Sequence, residues 1–287
     1  MMSHGYDPSD YWGGLLQEKF DLRGVGYPWL STAFNAYLYR GMADSVAREL
    51  TLLGLSRENL AQLSILDVGS GTGFWIDFWK SRGARKIMGV DLTPKSVAHL
   101  VLEYPQFTFE RWDICDPVDV KYRESFDLIS VMSVLNHIPS AEKWAQALAN
   151  LGRMVKPNGY IFIMDPILRH RWWGEPFDVE SISSLRTVDE HSAALARDQV
   201  RVLRVVPTVA VLANPLDTKW KWEFRILELW WGLFCGVAAS ERLMRLTGWL
   251  FYGLDRLLCR LRYMPSSKIL LCRKEVPAKR DTDRGVQ

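Results

Sequence analysis

Asp67, Gly69, Gly71 and Gly73 stand in the run ILDVGSGTGFW, residues 65–75, and are of the types that let a backbone hold a charged ligand. Ile65, Leu66 and Val68 form a short apolar run of the kind buried on both faces of a parallel sheet. The residues that follow, FWIDFWKSRG, carry aromatic and aliphatic side chains at helical spacing. The order is therefore strand, glycine turn, helix. Glycine reaches positive φ at little cost and has no Cβ to keep a ligand off the backbone. A helix starting there points N–H groups at whatever sits on the turn. Spacing separates two ligand classes. A dinucleotide site prefers G-x-G-x-x-G, whereas this chain has G-S-G-T-G, with Phe74 where the third glycine of that fingerprint would fall. A tight turn with no ligand is the bland alternative, and it loses ground because acidic residues follow at useful intervals.

KIMGVD reads as a second strand ending at Asp91. An acid about twenty positions past such a turn can accept hydrogen bonds from ribose hydroxyls, with Leu92 packing on the base. The competing role for Asp91 is a helix N-cap, which Thr93 could fill instead. FTFERWDI is a third strand leading to Asp113 and Ile114. SFDLISVMSVLNHIPS is a fourth, Phe126 to Val131, with Ser133 to His137 at its carboxyl end. Ligands of open parallel sheets sit at that end. An imidazole titrates near neutrality, so His137 could take a proton from an attacking hydroxyl. A structural histidine bonded to backbone at the start of a helix is the other reading.

The pattern Asp-x-Gly-x-Gly-x-Gly from Asp67 to Gly73 resembles motif I of the class I S-adenosylmethionine-dependent methyltransferases. The resemblance runs from about Ile65 to Asp165 and takes in the last two strands. It implies that Asp67, Gly69, Ser70, Gly71 and Gly73 carry the amino-acid end of S-adenosylmethionine. It also implies that Asp91 and Leu92 hold the adenosine, that Asp113 and Ile114 meet the adenine amino group, and that Ser133 joins the cofactor site. NHIPS resembles the segment after strand four of the small-molecule members, where a histidine stands beside the methyl group; His137 is the general-base candidate. Helices before motif I fold over the cofactor in that family and supply an arginine or tyrosine, and Tyr37 and Arg40 are the candidates. The fold implied is α/β, a Rossmann-like doubly wound seven-stranded sheet whose antiparallel last strand lies between strands five and six. The activity implied is methyl transfer to a small molecule, on a hydroxyl or carboxyl oxygen. No metal is expected, because no paired carboxylates with an asparagine can be placed.

Two other classes stay open. A nicotinamide-dependent oxidoreductase is disfavoured by the glycine spacing. A catalytically silent cofactor-binding subunit would keep the same residues. A nucleic-acid substrate is disfavoured by a formal charge of only +3 over 287 residues and by the lack of an Asn/Asp-Pro-Pro-aromatic motif after strand four.

The positioning elements follow from periodicity and punctuation. Residues 1–60 read as an arm and cap helices, with a short helix near Tyr11 to Phe20 and, between Ser31 and Gly54, two helices broken near Gly41. Residues 61–214 read as the core. Within it AEKWAQALANLGRMVKPNG is a helix stopped by Pro157 and Gly159, and GYIFIMDP is strand five. Asp165, His170, Arg171 and Trp172 follow at the same sheet edge, within reach of a substrate or simply in a solvated loop. TVDEHSAALARD is a helix, VRVLRVVPTVAVLAN is strand six, and KILLCRK, Lys268 to Lys274 within residues 264–276, is the final strand. Residues 277–287 are a polar tail.

Residues 215–263 form a helical insert of two or three helices. It sits where strand six reaches the cofactor edge, so a lid over the site is one reading. Its alternation of Arg242, Arg245, Arg256, Arg260 and Arg262 with Leu, Trp and Phe makes peripheral contact with a membrane the other. Its longest apolar stretch, Leu229 to Ala239, falls short of the about 20 residues a span needs. The paired tryptophans 172/173, 220/222 and 230/231 suggest aromatic-lined cavities or an interfacial surface, and the substrate expected is a small molecule of amphiphilic or aromatic character. Four dispersed cysteines without C-x-x-C, and an amino-terminal stretch with no apolar h-region, lead to the expectation of a cytoplasmic protein, at most membrane-peripheral.

Overall fold

Strand side chains alternate between two faces, and here both faces are covered. The computed structural model describes residues 7–169 and 183–276. Within them, seven strands form one sheet: β1 (Ser64–Val68), β2 (Lys86–Asp91), β3 (Thr108–Arg111), β4 (Phe126–Met132), β5 (Val155–Asp165), β6 (Val200–Pro207) and β7 (Lys268–Lys274). Their order is β3-β2-β1-β4-β5-β7-β6. The first five are parallel, and β7 is antiparallel to both β5 and β6. This is the doubly wound topology and the antiparallel insertion expected from the resemblance. Strand order reverses between β1 and β4, which opens a crevice at their carboxyl ends.

Ile65, Ile87 and Leu128 point to one face, against α2 (Thr32–Leu52) and α4 (Phe74–Ser81). Leu66, Val68, Ile129 and Val131 point to the other, against α6 (Ala141–Met154) and α7 (Val188–Ala196). A strand sealed on both sides explains why β1 and β4 read as unbroken apolar runs. The remaining helices are α1 (Pro8–Glu18), α3 (Arg57–Gln62), α5 (Pro94–Glu103), α8 (Lys221–Ala238) and α9 (Glu241–Arg260).

Two expectations about elements are corrected. Residues 32–52 form one helix, not two broken at Gly41. Gly41 instead marks a close crossing: a Cβ there would meet Val209 Cγ1 at 3.2 Å and the Arg256 guanidinium at 3.1 Å. Arg256 Nη1 donates to the Gly41 carbonyl at 2.7 Å. The helix after strand four stops at Met154, before Pro157. Pro157 forbids helical geometry at Lys156, and Val155, fully buried, pairs with Phe126 instead. The Lys156–Gly159 stretch becomes a bulge in β5, with Asn158 at φ 66°. Ser31 and Gly54 behave as read: the Ser31 hydroxyl accepts the Phe34 amide at 3.1 Å, and Gly54 takes φ 70°.

The insert is a two-helix hairpin, α8 and α9, packed on α2. The Ser31 hydroxyl donates to the Ala238 carbonyl at 2.6 Å. Asp255 on α9 is buried, and its Oδ1 accepts the backbone amides of Ala210 and Val211 at 2.8 Å and of Leu212 at 3.1 Å. Three amides converging on one carboxylate oxygen tie the hairpin to the chain leaving β6.

Candidate cofactor and substrate site

A cavity of about 390 Å3 opens at the carboxyl ends of β1, β2 and β4. Its floor is the glycine turn. Gly69, Gly71 and Gly73 take φ of 74°, 53° and 89°, values that L side chains avoid. A Cβ on Gly71 would touch Val25 Cγ1 at 3.0 Å, and one on Gly73 would meet Leu100 Cδ2 at 2.7 Å. Glycine is thus required by both conformation and space. The Gly69 and Ser70 amides donate to the Val90 carbonyl at 2.8 and 3.2 Å, binding the turn to β2.

Gly69, Ser70, Gly71, Asp91, Leu92, Asp113, Ile114, Ser133 and His137 all line this one cavity. They come from four separate stretches of chain, brought together by the parallel register. Asp91 is held firmly: Oδ2 accepts the Gly71 amide at 2.8 Å, and Oδ1 accepts the Thr93 amide and hydroxyl at 2.8 and 2.7 Å. Asp113 Oδ1 accepts the Cys115 amide at 2.9 Å. Ser133 sits at φ 60° and its amide donates to the Met164 carbonyl at 2.6 Å. A non-glycine residue in that region is strained, as often happens where a chain is aimed at a ligand.

Asp67, in β1, and Gly73, the last glycine of the turn, do not line the cavity wall. The Ser130 hydroxyl donates to Asp67 Oδ1 at 2.5 Å, and Trp79 Nε1 donates to the Ser130 oxygen at 3.0 Å. Asp67 Oδ2 is buried and has no hydrogen-bond partner among the described residues. Burial pushes the Asp67 carboxyl up to about 7, against the pull of the Ser130 and Ser70 hydroxyls and with a further rise from Asp91.

His137 ends a short 3-10 turn, Leu135–His137, after β4. Trp12 of α1 meets its ring edge-on, centroids 4.8 Å apart. The Asn136 side-chain nitrogen lies 3.2 Å from His137 Nε2 and 3.2 Å from the Ser183 hydroxyl. Asp165 does not reach the cavity: it is buried, and burial raises its carboxyl well above the usual carboxylate range despite the backbone amides of residues 134–136 and the Arg186 charge. His170, Arg171 and Trp172 lie outside the described residues.

Tyr37 and Arg40 are not at the cavity, which corrects their assignment to the cofactor. Tyr37 packs on Gly248 and Tyr252 of α9, and the exposed Arg40 guanidinium stacks over the Tyr252 ring at 4.7 Å. That face of α2 serves the hairpin. Tyr39, on the opposite face, lines the cavity and donates its hydroxyl to the Val25 carbonyl at 2.7 Å. The hairpin itself contributes nothing to the cavity wall among the described residues. The covering element is α1, through Pro8, Trp12 and Leu16. Trp112 and Lys143 are further wall residues with no motif to announce them. No group of three or more His, Cys, Asp or Glu among the described residues is placed to hold a metal ion.

The sequence profile of a family described as methyltransferase domain matches residues 34–224. Among curated relatives, the ubiquinone biosynthesis O-methyltransferase of Pseudomonas fluorescens is 34% identical over 115 residues, 37% of this chain and 45% of the relative. That of Histophilus somni is 33% identical over 112 residues, 36% of this chain and 44% of the relative. The match thus spans less than half the length of these relatives. In overall shape the chain is similar to the 1,6-didemethyltoxoflavin-N1-methyltransferase of Burkholderia thailandensis, solved with S-adenosylhomocysteine, at a TM-score of 0.52 and 13% identity, covering 96% of this chain and 94% of the other. It is also similar to a putative sarcosine dimethylglycine methyltransferase of Galdieria sulphuraria, at 0.51 and 15%, covering 81% and 84%.

Proposed function

The chain belongs to the methyltransferase domain family, and from that premise we propose that it transfers a methyl group from S-adenosylmethionine to a hydroxyl or carboxyl oxygen of a small amphiphilic or aromatic molecule. The observation that carries this reading is the convergence of the glycine turn, Asp91 and Asp113 on a single cavity at the switch point of the sheet. The residues fit the cofactor: the turn leaves no room for a Cβ, and the buried Asp67 Oδ2 lacks a partner among the described residues. Gly69, Ser70 and Gly71 would hold its amino-acid end, Asp91 its ribose, and Asp113 with Ile114 its adenine. S-adenosylmethionine supplies an already activated methyl group. The chain must then align an acceptor oxygen and keep water out. Trp12, Leu16 and the rest of α1 do the excluding. His137 would take the proton of a hydroxyl acceptor; a carboxylate acceptor has none to give up, and His137 would orient it. The O-methyltransferase names of the curated relatives support oxygen as the target. The same reading includes peripheral contact with a membrane surface, where an amphiphilic acceptor would partition.

Calorimetry with S-adenosylhomocysteine against NADH tests the cofactor. A methyl-transfer assay of the isolated chain on hydroxylated and carboxylated amphiphiles tests the reaction. Heat with NADH alone would replace the reading by a redox one. Heat with S-adenosylhomocysteine but no methylated product would leave a cofactor-binding subunit.

A further inference from the structure

Twelve of the twenty large hydrophobic side chains exposed among the described residues lie between Trp220 and Leu261, in and around the α8–α9 hairpin. On α8 they are Trp222, Ile226, Leu229 and Leu233. The intervals of three and four residues place them in one stripe. The opposite stripe of α8, around Phe234 and Ala238, is the one that packs inward. On α9 the outward stripe is Leu243, Leu246, Leu250, Leu254 and Leu257, opposite the buried Met244, Gly248, Asp255 and Cys259. Leu233 is 69% exposed and Leu246 64%. Both helices are thus apolar on two sides, and only one side of each is used by the fold among the described residues. A patch of this extent on a soluble domain marks a contact surface.

Charge selects the partner. Lys219, Lys221 and Arg225 at the start of α8, and Arg242, Arg245, Arg260 and Arg262 along and just after α9, are all exposed. Only Glu223, Glu228 and Glu241 oppose them over that stretch, because Asp255 is buried against backbone amides and Arg256. The formal charge of the entire chain is +3, so the hairpin carries its positive excess. A second copy docked face to face would bring the same arginines together. An anionic lipid surface would neutralise them while its acyl region took up the leucines and tryptophans. No helix among the described residues is long and apolar enough to cross a membrane, so the contact lies in the plane of the interface.

We propose that the outer face of the α8–α9 hairpin is a docking surface for membranes carrying anionic lipid headgroups. The hairpin is in register with the cavity through one strip of chain. Trp231 of α8 packs on Tyr27 with ring centroids 5.6 Å apart, the Asn214 amide donates to the Tyr27 hydroxyl at 3.2 Å, and Val25, two residues away, forms cavity wall. A docked hairpin would hold that wall beside the bilayer, where an amphiphilic acceptor resides. The inference rests on the proposed acceptor for its purpose alone; lipid binding is read without any acceptor.

The test is co-sedimentation of the full chain with vesicles of phosphatidylcholine alone and of phosphatidylcholine mixed with phosphatidylglycerol. Association with the mixed vesicles, weakened by added salt, is expected. Arg242→Gln with Arg245→Gln should lower the partition coefficient about fivefold per arginine. Ile226→Gln, Leu233→Gln, Leu246→Gln and Leu250→Gln together should abolish it. Both variants should keep the circular dichroism of the parent and its affinity for S-adenosylhomocysteine, so a loss of lipid binding is separate from a failure of the cofactor reading. Absence of vesicle binding by the parent overturns the proposal, as does undiminished binding by the leucine variant. A concentration-dependent dimer in light scattering, abolished by the leucine variant and unaccompanied by vesicle binding, overturns it in favour of a second copy.

Discussion

Asp91 accepts the amide of Gly71 at 2.8 Å, so the last residue of β2 holds the centre of the glycine turn in place. The carboxylate that the sequence offers to a ribose is also a brace for the loop beneath it. Its other oxygen is engaged by Thr93. Asp91→Asn keeps the shape, removes the charge and turns one acceptor into a donor facing the Gly71 N–H. A charge-assisted hydrogen bond is worth about 1.5–3 kcal/mol. The expected result is a rise of about 10- to 100-fold in the Kd for S-adenosylhomocysteine, measured by calorimetry, with a fall of a few degrees in Tm as the brace on the turn is lost.

Asp67, buried and raised to about 7, should report the arrival of a cationic ligand. The ammonium of S-adenosylhomocysteine favours the carboxylate form and lowers that value. Binding at pH 6–7 then releases a proton, and the observed enthalpy depends on the ionisation heat of the buffer. At pH 8.5 Asp67 is already ionised and the dependence should vanish. Asp67→Asn should remove it at every pH. Buffer-independent heat in the parent at pH 6.5 would dissociate Asp67 from the ligand.

His137→Ala should lower turnover about a hundredfold if the residue serves as general base, with the affinity for S-adenosylhomocysteine unchanged. Trp12→Ala tests the cover separately. It removes the ring that meets His137 edge-on and opens the cavity to solvent. A loss in turnover, with folding unaltered, is expected there. Full activity in His137→Ala would reduce that histidine to a wall residue.

Asp255→Ala should be costly. It strips a buried carboxylate from three backbone amides and from Arg256. Breaking a buried, hydrogen-bonded charge in this way costs about 3–5 kcal/mol, or a fall of about 10 °C in Tm, read by calorimetric scanning.

His191 sets a limit in acid. Burial lowers its imidazole to about 4 from 6.5, while Nδ1 stays within 2.9 Å of the Thr187 carbonyl and Trp144 meets the ring edge-on. Between those two values the unfolded chain binds a proton that the folded chain refuses. Stability therefore falls as pH drops through this window, by about 1.4 kcal/mol per unit. Asp67, raised rather than lowered, has the opposite slope and cancels when His191→Gln is compared with the parent. Urea titrations from pH 7 to 4.5 should show the stability of the parent falling relative to that of the variant as pH drops.

Much of this was legible in the chain itself. β1, β2, β4 and β7 are apolar runs bounded by turn residues, and a strand sealed on both faces leaves just that signature. The acids at positions 91 and 113 could be placed because parallel strands deliver their carboxyl ends to one edge. Which of the helices before the glycine turn forms the cover was not legible. Trp12 and His137 are far apart in sequence, and periodicity tells which residues share a helix face without telling what that face meets. Tyr37 and Arg40 show the same limit: they share a side of α2, but it is the side against α9, while Tyr39 turns toward the cavity. Gly41 misled for a related reason, since a glycine that breaks a helix and one that admits a neighbouring helix look alike until the neighbour is known.

The place of β7 has a consequence for synthesis. Among the described residues β6 touches the rest of the sheet only through β7. A ribosome that has translated β6 but not yet Lys268–Lys274 carries a strand with both edges bare. Nascent chains stalled before Lys268 should be the ones that chaperones and proteases find.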